Sequence, residues 1–540
     1  MILGATSGTR VHCPEGTRAA YVSAYTAGAD LLHVPVRRTA DGALVVTADA
    51  TVERRTGAPG AVAELTLAAL RALDWGATYR DAGGERYPYP ARVETLGMLL
   101  DQLPVGPALV IDVQGGGAEA IEKAIASLRR RGLLGRALIA VRDAAGLDAA
   151  RGRGAAVAWA GAAPDAASGA ALAAPLDAVL APIEAALDAG GEPTPLGREL
   201  AARHAAGELA RGAILMASGA LVPAQLAAAA ELGWVHAVCA DSILELAAAR
   251  RPGWEWIREP FAGKAAERAD VNADLWRLGY AKHNRACHVY LDDGVHVAIE
   301  PFSGEVAHLP TGDATTDALH ALLERSWDAL RDWPFYAGGG VGFAVGIDGD
   351  FAAEVDVESA VACQATTVEL AAVNVDPATH RKPWLPDGAP NLTASFRDKH
   401  SFFDPHGAPP YVGVEHDEDD GYRINWNLGT DYDANQYGKA VGDGKLLRAR
   451  LRLQRRGAYF SAWCRPIERR GPRDWVCVGA ARNDSMNPRV FLRCAGKRWR
   501  QEDPQRSPAW MPVVANHFTF RDLSIVRFVA AQDADAPETR

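Results

Sequence analysis

Short apolar runs alternate with alanine-rich stretches over the first 250 residues of the chain. The clearest runs are Ala137–Val141, Ala155–Trp159, Ala178–Ala181 and Ala213–Met216. Continuous apolar runs of four or five residues are typical of strands that are buried on both faces in a parallel sheet. Each run is followed by a stretch with helical character. This alternation predicts an α/β fold with a parallel sheet, and its length suits one eight-stranded (β/α)8 TIM barrel over residues 1–250.

The pattern changes near residue 250. Residues 251–335 are predicted to connect two domains. They contain a hairpin, with strands His288–Leu291 and Val295–Ile299 around the turn Asp292-Asp-Gly294, and an amphipathic helix over Thr316–Asp332. Residues 336–530 then alternate polar and apolar positions between regular turns, as half-buried antiparallel strands do. We therefore predict an all-β sandwich over 336–530 and a polar tail over 531–540.

The order of segments within the sandwich carries a resemblance at the level of the fold. A Gly-Asp-Phe strand is followed by an aliphatic strand, an Arg-rich Leu-x-Leu strand and the strand Tyr459-Phe-Ser-Ala-Trp463. This order resembles a concanavalin A-like jelly roll. The predicted strands are 351–357, 366–373, 411–415, 422–426, 447–453, 459–463, 475–479 and 490–494.

Composition narrows the class of protein. The chain has 540 residues, of which 48% are hydrophobic and 23% charged, as in ordinary globular proteins. A net charge of −10 argues against a nucleic-acid partner, and no apolar run approaches the roughly 20 residues of a membrane span. The seven cysteines are odd in number and form no CxxC pair. With no signal peptide apparent, these features predict a cytoplasmic protein with reduced thiols.

Several motifs in the first half resemble the glycerophosphodiester phosphodiesterase family. The stretch Gly28–Gly42 is similar to that family's second strand and turn, and Cys13-Pro-Glu-Gly-Thr17 is similar to its Pro-Glu-Asn-Thr turn. Thr17 would then cap a helix over Arg18–Ala27. Ala108–Gln114 matches the third strand, and Gly233–Asp241 matches the last. The resemblance covers roughly residues 1–250 and implies a TIM barrel.

The same resemblance implies catalytic positions, and this chain departs from the family at most of them. The family uses two acid/base histidines and a divalent metal held by carboxylates. The matched positions hold Ala5 and Thr6 for the first His-Arg, His33 and Pro35 for the Glu-x-Asp pair, Ala48 for the second His, and Asp112 and Gln114 for the Glu-x-Lys pair. Alanine transfers no proton and proline offers no side-chain oxygen, so the departures predict lost hydrolysis.

Three functions are compatible with a barrel that keeps the family's scaffold and departs from its catalytic residues. The first is a degenerate barrel without metal or other cofactor, acting as a ligand-binding or scaffold module beside a lectin-like sandwich. The second is an enzyme with repurposed chemistry in the barrel mouth, using His33, Asp49 and Asp112. Because the family's arginine and metal are replaced, we expect a less positive mouth, which would prefer a neutral or cationic ligand to free phosphate.

The third function places chemistry in the sandwich. Glu354, Asp356 and Glu358 have the spacing of the catalytic strand of laminarinase-type glycoside hydrolases, which would make the chain a sugar-active hydrolase. A solvated outer face is the favoured interpretation of that spacing. For binding alone, aromatic and polar side chains on the strands are candidates for a small-molecule or carbohydrate ligand. They are Trp426, Arg423, Trp463 and Trp499.

Overall fold

The computed structural model describes most of the first half of the chain and the strands of the second. The residues described are 1–9, 12–80, 90–104, 106–161, 175–218, 222–242, 254–259, 261, 276–280, 287–299, 336–343, 346–359, 366–374, 410–417, 421–428, 436–437, 448–468, 471–472, 475–499 and 516–528. The chain divides into two compact units, Met1–Pro252 and Gly253–Arg540.

Eight parallel strands close a barrel in the first unit. They are β1 Ile2–Thr6, β2 Leu31–Arg38, β4 Ala108–Val113, β5 Ala137–Val141, β6 Ala156–Trp159, β7 Ala178–Pro182, β8 Ala213–Ala217 and β9 Val235–Ala240. Each strand pairs with the next in this order, and β9 returns to β1. The short strand β3, Leu44–Val46, pairs antiparallel with the end of β2. The predicted α/β barrel is confirmed.

Helices alternate with these strands. In the described residues they are α1 Arg18–Thr26, α2 Glu53–Thr56, α3 Leu67–Ala72, α4 Leu96–Gln102, α5 Gly117–Arg130, α6 Ala144–Gly152, α7 Ile183–Ala186, α8 Pro195–Ala205 and α9 Pro223–Glu231, with 3-10 turns at Val62–Glu64 and Leu134–Arg136. Thr17 caps α1 as predicted, because its side chain accepts a hydrogen bond from the Ala20 N–H. Within the described part of the chain, every helix is too short or too polar to cross a bilayer.

Strand alternation in the barrel produces two apolar layers. Leu31, Val110, Ala140 and Cys239 belong to the layer inside the barrel. A larger layer, which includes Ala5, separates the strands from the helices. The interior is filled by small side chains at close quarters: a Cβ at Gly4 would collide with the Cys239 sulfur. The barrel interior is therefore a packed core rather than an open pore.

The second unit contains two antiparallel sheets. One has the order β12 Cys287–Leu291, β13 Val295–Ile299, β26 Asn516–Phe528, β16 Phe351–Ser359, β21 Arg448–Arg456, β22 Tyr459–Glu468 and β23 Gly471–Pro472, with β10 Trp254–Glu259 on β26 and β24 Val476–Arg482 on β22. The other has the order β11 Trp276–Tyr280, β14 Tyr336–Phe343, β25 Arg489–Trp499, β17 Thr366–Val373, β18 Tyr411–Asp417, β19 Gly421–Asn427 and β20 Gln436–Tyr437, with β15 Ile347–Asp348 on β25.

Apolar side chains from both sheets meet in one core, which makes this unit a β-sandwich. Phe351, Val355 and Leu451 come from the first sheet, and Leu370 and Leu492 come from the second. On β16 the buried residues alternate strictly with half-buried ones, as a strand with one face on a core requires. The predicted antiparallel sandwich is confirmed, and each of its eight predicted strands has a counterpart.

The segment 251–335 contributes strands to the sandwich. The predicted hairpin is confirmed, since β12 and β13 pair antiparallel, with Cys287 opposite Ile299 at one end and Leu291 opposite Val295 at the turn. β10 and β13 both pair with β26, and β11 pairs with β14. The predicted helix over 316–332 lies outside the described residues.

Candidate functional site at the barrel mouth

The face of β2 that looks into the barrel carries a polar row. Leu31 lies in the interior layer, so strand alternation turns His33, Pro35 and Arg37 to the same side. In β1 the partner of His33 is Thr6. Ala5, which the family alignment placed at the first histidine, is buried among residues between strands and helices. That assignment is corrected here: Thr6, rather than Ala5, is the β1 residue that shares a face with His33.

Asp112 is the centre of the polar layer. It lies on β4, opposite Pro35, and is 1% exposed. His33 Nε2 lies 3.2 Å from its Oδ2, and the Gln114 amide donates to the same oxygen at 2.7 Å. Arg142, the first residue after β5, donates from Nη2 to Oδ2 at 3.0 Å and from Nη1 to Oδ1. Both oxygens of this carboxylate are therefore occupied by side chains of the barrel.

These donors decide the charge of Asp112. Burial by itself would raise the pKa of the carboxyl, but the hydrogen bonds from His33 and Arg142 outweigh it and hold the pKa well below its ordinary value. Asp112 is consequently an ion at any pH near neutrality. It balances the charge of Arg142, whose side chain is 38% exposed.

Arg37 lies in the same layer with different partners. Its Nε donates to the Ala48 carbonyl at 2.9 Å, and its Nη1 and Nη2 donate to the Gln114 backbone and side-chain oxygens at 2.7 and 3.3 Å. All three acceptors are neutral. Desolvation and the nearby Arg142 lower the pKa of Arg37, against the opposing influence of Asp49 and Asp112. Since arginine stays protonated in proteins, this guanidinium is a half-buried cation that no carboxylate contacts in the described residues.

Asp49 does not join His33 and Asp112. Its carboxylate is held by Arg54, which donates from Nε at 2.9 Å and from Nη2 at 2.6 Å. Arg54 also contacts the buried Glu15, which Arg55 binds at 2.8 Å. The structure therefore brings together two of the three predicted residues, His33 and Asp112, and places Asp49 in a neighbouring ion-pair network.

Two buried polar atoms beside this cluster have no partner in the described residues. They are Nδ1 of His33 and Oγ1 of Thr6, which belong to paired positions on adjacent strands. An imidazole whose Nε2 hydrogen donates to Asp112 carries a lone pair on Nδ1. Buried polar atoms are usually hydrogen-bonded, so this pair indicates room for a water or a ligand group.

The residues at the family's metal positions do not suit a hard divalent cation. Such a cation takes about six oxygen ligands or more. Here Pro35 offers no side-chain donor, His33 offers a nitrogen, and the Asp112 carboxylate is already occupied. Among the described residues, no group of three or more His, Cys, Asp or Glu side chains is arranged to hold a metal.

Sequence analysis missed Arg37 and Arg142. Both had a signal. Arg37 follows His33 by four residues on one strand and so shares its face, and Arg142 comes directly after a buried strand, at the barrel end where active sites lie. The expectation of a less positive mouth considered only the family's positions and left these two guanidinium groups out.

A cavity of about 370 Å³ lies at the same end of the barrel, beside β7 and β8. Its wall is formed by Ile183, Glu184, Leu187, Asp188, Ala189, Ala217, Ser218, Val222 and Gln225. None of the residues of the polar cluster belongs to this wall. The cavity is therefore a separate feature of the strand ends.

In the sandwich, the predicted ligand-binding residues occupy different environments. Arg423 donates to the buried Glu415 at 2.6 Å. Trp426 is partly buried against the core, and Trp463 is fully buried, with its indole N–H on Ser461 at 2.8 Å. The side chain of Trp499 lies outside those described. A role of these four residues in ligand binding stays a prediction.

The three carboxylates of β16 form an ion-pair ladder. Glu354 accepts from Arg450 at 2.7 Å and from Arg452 at 2.5 Å, Asp356 accepts from Arg450 at 2.8 Å, and Glu358 accepts from Arg521 at 2.7 Å. Burial would raise the pKa of Glu354, but Arg452 and Arg450 lower it overall. A glycosidase needs a protonated carboxyl as general acid, whereas Arg452 and Arg450 favour the ionised form of Glu354.

Comparison with known proteins agrees with the motifs. The model of the glycerophosphoryl diester phosphodiesterase family matches residues 7–124. Among curated proteins, a glycerophosphodiester phosphodiesterase of Caldanaerobacter subterraneus is 40% identical over 82 residues, covering 15% of this chain and 34% of that protein. One of Bacillus subtilis is 32% identical over 140 residues, covering 24% and 46%. The chain thus spans less than half the length of these relatives.

Two matching solved structures are also named as phosphodiesterases. A glycerophosphoryl diester phosphodiesterase domain from Mycobacterium tuberculosis is 22% identical, with a TM-score of 0.38, and the match covers 46% of this chain and 99% of that one. A phosphodiesterase from Oleispira antarctica, solved with the product sn-glycerol-3-phosphate, is 19% identical, with a TM-score of 0.38, and the match covers 46% and 96%.

The fold and the strand-end cluster define the first unit as a TIM barrel with a polar mouth. Over the matched segment this barrel is glycerophosphodiester phosphodiesterase-like. The resemblance predicted from the motifs is confirmed, and the second unit adds two antiparallel sheets to it.

Proposed function

We infer that the first unit is a non-hydrolytic barrel that binds an anionic small molecule at its mouth. The observation that carries this proposal is the uncompensated charge of Arg37. Arg37 and Arg142 lie near Asp112, which Arg142 already binds through two of its nitrogens. Asp49 also attracts Arg37, but its carboxylate is bound by Arg54. A phosphate or carboxylate group would supply the missing negative charge.

Physical chemistry favours an anion over a neutral ligand. Arg37 uses each of its three nitrogens on a neutral oxygen, which leaves two of its five N–H groups for another acceptor. Guanidinium groups bind planar or tetrahedral oxyanions with two parallel hydrogen bonds. Partial burial strengthens such a bond, because less water screens it.

The loss of hydrolysis rests on the composition of the mouth. Phosphodiester cleavage in the related family needs two imidazoles that transfer protons, as well as a metal. Thr6 and Ala48 replace those imidazoles, and Asp112 is occupied by arginine, histidine and glutamine donors. This barrel would therefore hold an anion without cleaving it, either as a binding module or as a scaffold beside the sandwich.

A second candidate is proton transfer by His33. The Nε2 hydrogen on Asp112 orients the ring, and the buried Nδ1 has no partner in the described residues. A carboxylate-oriented imidazole of this kind can act as a general base. This candidate predicts turnover that His33→Ala abolishes, whereas the binding module predicts binding without turnover.

Titration calorimetry with inorganic phosphate and with acetate tests the first proposal on the full chain. We expect Arg37→Ala to weaken binding about tenfold or more. Asp112→Asn should strengthen it roughly 3- to 10-fold, since a unit charge at about 5 Å contributes a few kcal/mol before solvent screening. Arg130→Ala, an exposed arginine on α5, is the control. No heat from either anion, or an Arg37→Ala variant that binds like the parent, would refute the proposal.

A further inference from the structure

The cavity beside β7 and β8 has walls that several contacts hold in place. One wall belongs to residues 183–194, in which α7 ends and a tight turn leads to α8. The Gln225 side chain on α9 donates to the Leu187 carbonyl at 2.9 Å. Gly191 packs so close to α9 that a Cβ there would lie 2.7 Å from the Ala224 carbonyl oxygen. The turn is thus fixed against α9, and a ligand would enter a cavity that is already formed.

Apolar residues make up five of the nine in the wall. Ile183, Leu187 and Ala217 are buried, and Val222 is 36% exposed. The volume of about 370 Å³ lies at the lower end of the roughly 300–1,000 Å³ that small-molecule sites have. A small ligand with an apolar part would therefore bury that part here.

Two acidic residues of the wall have no cationic partner. Glu184 lies on α7 and Asp188 lies two residues after it, and both are exposed. Neither forms an ion pair with another residue that the structure describes. Arg198 on α8 contacts the same turn, but its guanidinium donates to the Pro193 carbonyl at 2.7 Å. The other polar residues of the wall are neutral, so the wall carries negative charge.

The Asp188 carboxylate is held in a fixed position. Its Oδ1 accepts the Gly190 N–H and the Glu192 N–H, both at 2.9 Å. The Asp188 N–H in turn donates to the Glu192 carbonyl at 2.9 Å, which closes the turn. These bonds leave Oδ2 as an acceptor that no other described residue uses.

We propose that this cavity binds a small organic cation, with its charged group beside Glu184 and Asp188. The apolar part of the ligand would pack against Ile183, Leu187 and Val222. A hard divalent cation takes about six oxygen ligands or more, and an apolar wall does not supply them. Both carboxylates would repel an anion, whereas a neutral ligand would gain only the apolar contacts. This site is separate from the polar cluster and does not depend on the anion binding proposed there.

Titration calorimetry of the full chain with n-pentylammonium tests the site, beside pentanol and pentanoate of the same chain length. We expect one pentylammonium ion per chain, pentanol about tenfold weaker and no saturable heat from pentanoate. Glu184→Gln and Asp188→Asn should each weaken pentylammonium binding about threefold, and together about tenfold, because water screens exposed carboxylates. Neither substitution should change the binding of pentanol.

Two variants serve as controls. Glu199→Gln removes an exposed carboxylate of α8 outside the wall and should bind pentylammonium like the parent. Arg37→Ala should also leave this binding unchanged, because Arg37 belongs to the polar cluster. Asp188→Asn keeps a side-chain oxygen for the two backbone N–H groups, and circular dichroism checks the fold of each variant.

Four results would overturn the proposal. They are no saturable heat from pentylammonium, pentanol or pentanoate binding as tightly as pentylammonium, a variant with both substitutions that binds pentylammonium like the parent, and saturable Ca2+ binding that the same double variant abolishes. The last result would make the two carboxylates metal ligands instead.

Discussion

Removing the Asp112 carboxylate is the perturbation that the barrel should tolerate least. In Asp112→Ala, the buried His33 loses the acceptor of its Nε2 hydrogen, which costs about 1–3 kcal/mol. Gln114 and Arg142 also lose their acceptor, but both are partly exposed and can turn to water, which reduces their share to about 1 kcal/mol together.

The sum is about 3 kcal/mol of unfolding free energy, at the lower end of the 3–5 kcal/mol typical for a broken buried ion pair. For a domain of about 250 residues this corresponds to a fall in Tm of about 6–12 °C. Scanning calorimetry measures the shift. Hydrogen exchange of peptides from Ala108–Val113 and Ala137–Val141 assigns it to the barrel rather than to the sandwich.

Asp148→Ala is the matched control. Asp148 is an exposed residue on α6 of the same barrel, and such a substitution changes stability by about 0.5 kcal/mol or less. If Asp112→Ala melts within 2 °C of this control, the carboxylate does not hold the donors assigned to it, and the charge balance proposed for the mouth is wrong.

Three further predictions concern the barrel. Because the pKa of Asp112 is held below its ordinary value, its contribution is complete above pH of about 4 and is lost as the pH falls further, so the Tm gap between parent and Asp112→Ala should be constant from pH 7 to 5 and narrow in stronger acid. Gly4→Ala should destabilise the barrel by about 1–3 kcal/mol in calorimetry, since the added Cβ meets the Cys239 sulfur; a neutral result would contradict the packed interior. Burial raises the pKa of Cys239 to about 12, so iodoacetamide at pH 8 should label this thiol only after unfolding, as mass spectrometry of the native and denatured chain would show.

The barrel was predictable because its strands are continuous apolar runs. Ala137–Val141 was predicted to the residue, and the other runs were within one residue of the observed strands. In the sandwich, β17 was also predicted to the residue. A continuous apolar run predicts a buried strand whichever elements pack against it in the fold.

The central strand β26 was missed for a physical reason. Phe518 and Phe520 face the core at even positions, whereas Leu523 and Ile525 face it at odd positions. A bulge shifts the register there, with Asp522 at a positive φ of 48°. The sequence contains two short stretches in which apolar and polar residues alternate, one on each side of the bulge. Because the bulge puts them out of phase, they do not form one continuous pattern that predicts a long strand.

The candidate site was predictable only where the family alignment reached. His33 and Asp112 were found from matched positions and do meet at 3.2 Å. Asp49 was matched as well, but its partner Arg54 comes from a helix whose packing the sequence does not show. Arg37 and Arg142 lie outside the matched catalytic positions, and although strand position placed both near the barrel mouth, their contacts with Gln114 and Asp112 required the three-dimensional structure.

Hydrolysis is the most direct test of the proposed function. Turnover of glycerophosphocholine by the purified full chain should be measured with Mg2+, Ca2+ and Mn2+ and with chelator, beside Asp112→Ala. We predict the same background rate in all of these conditions, because neither Thr6 nor Ala48 offers an imidazole as acid or base near neutral pH and the Asp112 carboxylate is occupied. Metal-stimulated turnover that Asp112→Ala abolishes would contradict the account of a barrel that binds without cleaving.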